Sequence, residues 1–128
     1  MDSLVKMSDN FNKIARQEIQ AEFDSLQQIL IQCNNDGDIS NSANKIEKHL
    51  HKIKGLAPMM GQNNVGEIAK MNDSIVLHVI EKGTQSGTCQ VIIESVQIMQ
   101  AIFNDTNKIN IEEFKNKIQK TFSHILNQ

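Results

Sequence analysis

Apolar positions recur along this chain every three or four residues, the interval that lines one face of a helix. The first stripe follows Ser8, a good N-cap, and carries Phe11, Ile14, Ala15, Ile19, Phe23, Leu26, Ile29, Leu30 and Cys33. It stops at Asn34-Asn35-Asp36-Gly37-Asp38, a dense cluster of turn formers. A second helix is predicted after Ser40 or Ser42, running through Ile46, Leu50 and Ile53. Gly61 to Asn64 breaks the pattern. A third stripe, Val65, Ile68, Ala69, Met71, Ile75, Val76, Val79 and Ile80, ends at Lys82-Gly83, with glycine in the C′ place. The fourth runs from Cys89 to Phe103 and stops at Asn104–Lys108. The fifth opens at Asn110, with Glu113 at capping-box spacing, and carries Ile111, Phe114, Ile118, Phe122, Ile125 and Leu126. Strand-type alternation is scarce. Long striped helices with short polar loops predict an all-α fold: an antiparallel up-and-down four-helix bundle with a fifth, C-terminal helix packed against it. A chain of 128 residues suits one domain, 1–128, with one core.

Composition narrows the function. Net charge is −2, and Trp and Tyr are absent. A near-neutral chain without stacking aromatics argues against a nucleic-acid or membrane-surface binder. No apolar run approaches the roughly 20 residues that span a bilayer. The start, MDSLVKMSDNF, lacks the apolar core of a signal peptide. Cys33 and Cys89 read as free buried thiols of a cytoplasmic protein. Met59, Met60, Met71 and Met99 read as core or gap-filling residues.

The segment His49–Gly61, HLHKIKGLAPMMG, breaks this regularity. Gly55 costs a helix about 1 kcal/mol against alanine, and Pro58 about 3 kcal/mol in an interior position. One reading ends the second helix at Lys54, with Gly55 as C′ and Pro58 opening another short helix. The other continues the helix, because Ala57 and Met60 stay in phase with Ile46, Leu50 and Ile53. On a helical wheel His49 falls about 60° from the core centre and His51 about 140° from it, well outside. Gly55 is nearly opposite the core, and Lys54, Pro58 and Glu47 share His51's side. A neutral imidazole is a competent nucleophile near neutral pH. Lys54, three residues on, can neutralise an incoming phosphoryl group, and the bare Gly55 surface lets a large partner approach.

His51-Lys52-Ile53-Lys54-Gly55 followed by Gly61 resembles the H-x-[hydrophobic]-K-G-x5-G signature of histidine phosphotransfer domains. The likeness is closer to the N-terminal phosphotransfer domain of CheA-type chemotaxis kinases, whose motif reads like HTLKG-xA-xxMG. It is best from Ile46 to Gly83. The resemblance implies that His51 accepts the phosphoryl group, usually on Nε2, and that Lys54 stabilises it. It also implies that Gly55 permits close approach and that Gly61 is the turn glycine. Asp73 matches a glutamate that sets the histidine tautomer in that family, and is one methylene shorter. Lys70 matches a family histidine, and Pro58 is outside the family pattern. Lys45, Lys48, Lys52 and Lys54 read first as a solvated helix face, the alternative being a basic surface complementary to an acidic partner. The helix is then expected to continue to Met60, with a hydrogen bond lost at the Lys54 carbonyl.

The implied partners are a histidine kinase catalytic domain and a response regulator receiver domain, in phosphorelay signalling or chemotaxis. The chain itself is expected not to be an enzyme and to need no cofactor, the Mg²⁺ belonging to the partner. The rival from a different class is a helical adaptor with no chemistry, in which the Gly55 surface is a docking groove. Metal ligation by His49 and His51 together is disfavoured, since i,i+2 residues diverge by about 160° on a helix. His78 and His124 read as surface or boundary residues.

Overall fold

The computed structural model describes residues 2–104 and 110–127, with side chains from Asp9 onward. Six helices follow one another: α1 (Asp2–Leu30), α2 (Asp36–Met59), α3 (Asn63–Lys82), α4 (Thr88–Asn104), α5 (Ile111–Thr121) and α6 (Ser123–Leu126). The chain is all-helical among the described residues. α1 packs on α2, α2 on α3, α3 on α4 and α4 on α1, while α5 and α6 lie against α3. Buried side chains from all six form one cluster, with Ile19, Phe23, Leu26, Ile46, Leu50, Ile53, Ile68, Ile75, Ile92 and Met99 fully enclosed.

Several boundaries differ from those expected. Ser8 lies inside α1 rather than capping it. Neither Ser40 nor Ser42 caps α2, which starts inside the turn cluster. There Asn35, in an extended conformation, accepts the Asp38 N–H at 2.9 Å, and Asp38 reaches back to the Asn34 N–H at 2.8 Å. Two side chains that satisfy the backbone donors of Asp38 and Asn34 make a helix start out of residues that otherwise read as loop, and acidic Asp36 and Asp38 suit the positive end of the helix dipole. Asp36 also serves a second helix, accepting the Gly87 and Cys89 N–H groups at the start of α4. The Asn104–Lys108 break falls outside the described residues from Asp105 on. Asn110 caps α5 through the Glu112 N–H. The expected fifth helix is two helices, divided at Phe122, whose ring is buried at the division.

Two stripe assignments are also corrected. Ile14 is 65% exposed, because it lies about 140° around α1 from Ile19, and Ala15 takes the covered position. Ile80, at the stripe edge near the end of α3, is exposed as well. Met59 is 68% exposed and fills no core gap, whereas Met60 and Met71 pack against the core and Met99 is inside it. Cys33 and Cys89 are both free and buried. Burial, first of all, pushes both thiols up from their ordinary values.

Through Gly55 and Pro58, α2 continues, so the reading that ended it at Lys54 does not hold; it stops at Met59, one residue short of Met60. Proline has no N–H to return to the Lys54 carbonyl, but so near the helix end a single bond is forfeited. The end itself is firmly made. Gln62 N–H donates to the Ala57 carbonyl at 2.8 Å and Gly61 N–H to that of Pro58 at 3.0 Å. This paired closure needs a residue of positive φ, and Gly61 has φ 83°. The proline ring meets α3 at Gly66. A Cβ built on that buried glycine would lie 2.6 Å from Pro58 Cγ and 2.9 Å from Cδ. Pro58 therefore packs the α2 end against the α3 start.

Candidate functional site

The core face of α2, made by Ile39, Ala43, Ile46, Leu50, Ile53 and Ala57, leaves two polar flanks. One flank carries Glu47, His51 and Lys54 beside α3; the other carries His49 and Lys52 beside α1. The spacing i, i+3, i+4 stacks each set on one side of the helix.

His51 has 65% of its side chain exposed. Its Nδ1 faces two carboxylates, Glu47 Oε2 at 3.8 Å and Asp73 Oδ2 at 3.9 Å. These are ion-pair separations, longer than a direct hydrogen bond. Asp73, on α3, is almost completely buried, and its Oδ2 accepts a hydrogen bond from Lys54 Nζ at 2.8 Å. The aspartate thus reaches the lysine more closely than the histidine, as its shorter side chain makes reasonable. Its Oδ1 is buried and receives no hydrogen bond from an N–H or alcohol donor among the described residues.

Glu47 completes the group. A hydrogen bond shared with Asp73, then burial, then Asp73's charge push its carboxyl above the ordinary value, against the pull of His51 and Lys54. The folded chain therefore holds the Glu47 proton more tightly than the unfolded chain. That contribution to stability is complete below the unfolded value of 4.5 and is lost as pH rises through the raised folded value. Glu47→Gln removes it: denaturant titrations from pH 4 to 7 should show a flatter decline for the variant than for the wild type. An equal slope would mean that the two carboxyls do not share a proton.

The other expected residues fall as follows. Gly55 is exposed, with open space where its Cβ would be, so packing does not require it. Lys52 leaves the His51 flank and pairs with Glu22 on α1, Nζ to Oε1 at 3.3 Å. Pro58 is engaged with Gly66, as above. Lys70 is exposed on α3 and lines an open cleft toward α5 with Glu67, Glu112 and Lys115. His78 and His124 stand edge to face at 6.0 Å at the periphery.

The sequence placed Glu47 on His51's side without giving it a role, and gave no place to Glu22. Both signals exist in retrospect. Glu47 stands one turn before His51, and Glu22 is a charged residue about 60° from the centre of α1's apolar stripe. Glu22 is buried, and its Oε2 lies 2.5 Å from His49 Nδ1. His49, expected at the packing boundary, is thus a polar tie between α1 and α2. Glu47, His51 and Asp73 also present one donor atom each within 4.8 Å of one another. A cation there would have to compete with the Lys54 ammonium already bonded to Asp73. No helix among the described residues is long and apolar enough to cross a membrane. A scan against protein-family models, a search of curated proteins and a search of solved structures return no match to this chain.

Proposed function

We propose that this chain is a histidine phosphotransfer module, with His51 as the phosphoryl acceptor. The observation that carries the reading is the orientation of one ring. His51 is exposed while its Nδ1 faces buried acid, so its Nε2 edge is the one left for a donor. Glu47 and Asp73 favour a proton on Nδ1 and so a lone pair on Nε2. Lys54 stands one turn on, and Gly55 leaves the neighbouring surface open. In the first transfer the Nε2 lone pair forms the N–P bond as the donor's P–O bond breaks and its electron pair leaves with the donor oxygen. Lys54 then exchanges part of its bond with Asp73 for the new phosphoryl oxygens. Passing the group to a receiver aspartate reverses the order.

In this reading α1 to α4 form an antiparallel up-and-down bundle within one domain, and α5 and α6 are additions to it. The module is cytoplasmic, and has no ATP-hydrolysing activity of its own. Its partners are a kinase catalytic domain and a receiver domain, with Mg²⁺ in the partner's acidic pocket. The basic residues along α2 suit such an acidic surface.

The test is a phosphotransfer assay against the kinases and receivers of the source organism, with detection of acid-labile phosphate. Wild type should be labelled and His51→Gln should lose the label. No label on wild type, or equal label on the variant, returns the chain to the adaptor reading.

A further inference from the structure

α2 carries the same arrangement twice. His49 and Lys52 repeat, two residues earlier, the i, i+3 pair of His51 and Lys54. Each pair meets a nearly buried carboxylate from the helix next door. For His51 and Lys54 it is Asp73 of α3, and for His49 and Lys52 it is Glu22 of α1. The two histidines diverge around the helix, so the two sets occupy opposite flanks of one core face.

The second set is the tighter. His49 Nδ1 lies 2.5 Å from Glu22 Oε2, against 3.9 Å for His51 and Asp73. Burial raises Glu22, but the bonds from His49 and Lys52 outweigh it and hold the carboxyl below its ordinary value. Glu22 is therefore the ionised acceptor and His49 Nδ1 the donor. A carboxylate on Nδ1 leaves the lone pair on Nε2. The imidazole is 24% exposed while Glu22's side chain is 6% exposed. With Nδ1 bonded to Glu22, Nε2 is the ring nitrogen left without a partner among the described residues. Lys52 is 55% exposed and can swing from Glu22 to an anion at that edge.

We propose that His49 is a second phosphoryl-accepting histidine, positioned by Glu22 and served by Lys52. The proposal takes its chemistry from the phosphotransfer reading but uses different atoms. His49 Nε2 forms a bond to phosphorus, and the donor's bond to phosphorus breaks with its electron pair on the leaving group. The Nδ1 proton stays in place, and Glu22 balances the positive ring. No Gly55-like clearance lies one turn beyond His49, since that position is the buried Ile53. The donor that suits this site is therefore a small one, such as an acyl phosphate or phosphoramidate, rather than a protein domain.

The experiment incubates the intact chain with potassium phosphoramidate at neutral pH and maps phosphohistidine after an alkaline quench. His78 and His124 serve as internal references. In His51→Gln, His49 should be labelled about tenfold faster than His124, and adding Glu22→Gln should remove that advantage; with His51 present, Glu22→Gln should leave His51 labelling unchanged. Lys52→Gln, at an exposed position that does not endanger folding, should slow His49 in the same direction. Labelling of His49 no faster than that of the reference histidines overturns the proposal, as does a Glu22→Gln variant that folds and labels His49 at the wild-type rate. Label on His49 with none on His51 would instead overturn the function proposed for His51 and leave this site standing.

Discussion

Gly66→Ala should destabilise the folded chain by about 2–3 kcal/mol. Helix propensity alone says the opposite. Gly66 sits inside α3, and replacing a helical glycine by alanine normally gains about 1 kcal/mol. The sign is decided by what the new methyl meets. Its position lies 2.6 Å from Pro58 Cγ and 2.9 Å from Cδ. Real carbon contacts do not come so close, and a proline ring cannot rotate away as a long side chain can. Either the end of α2 moves off α3, or the ring puckers against its own helix. Either way packing is lost at the seam that carries the His51 flank. Urea denaturation measures the effect. Pro58→Ala in the same chain should recover most of the loss, since it removes the obstructing carbons. If Gly66→Ala were as stable as wild type or more so, the close approach of α2 and α3 would be wrong.

Lys54→Met should cost about 2 kcal/mol at neutral pH, because it strands a buried carboxylate. Asp73 is almost fully enclosed, and the Lys54 ammonium at 2.8 Å is its one cationic hydrogen-bond donor among the described residues. The cost is set below that of a fully buried pair because Lys54 keeps a third of its side chain in solvent. Adding Asp73→Asn should return most of the stability, since the amide needs no counter-charge. A double-mutant cycle with no coupling between positions 54 and 73 would exclude the ion pair. The same pair bears on function. A lysine that stabilises Asp73 at rest can serve a phosphoryl group only by sharing, so Lys54→Met should weaken both the fold and the acceptance of phosphate.

The helices were legible in this sequence because each buries one face, and burial of one face imposes a period of three to four apolar residues. Their existence and order follow from that, and so does the outward place of His51 opposite Ile46, Leu50 and Ile53. Their ends were less legible. Ser8, Ser40 and Ser42 are good caps by type, yet α2 begins at Asp36, because Asn35 caps it through the Asp38 N–H and Asp38 accepts the Asn34 N–H. The division at Phe122 is likewise invisible in a stripe that stays in phase across it.

The sequence by itself determined the all-helical class, the core faces of the main helices and the sharing of one flank by His51, Lys54 and Gly55. Those are properties of single helices, set by backbone period and side-chain polarity. Tertiary structure decided which acid each histidine meets. Asp73 reaches the His51 flank because α3 lies against that side of α2, and Glu22 reaches His49 because α1 lies against the other. It also decided the role of Pro58, which looks like a defect along the chain and is a packing surface once Gly66 stands opposite it. Such pairings join residues far apart in sequence, and no local period encodes them. They arise only when the apolar faces close on one another and bring the flanking polar groups into register.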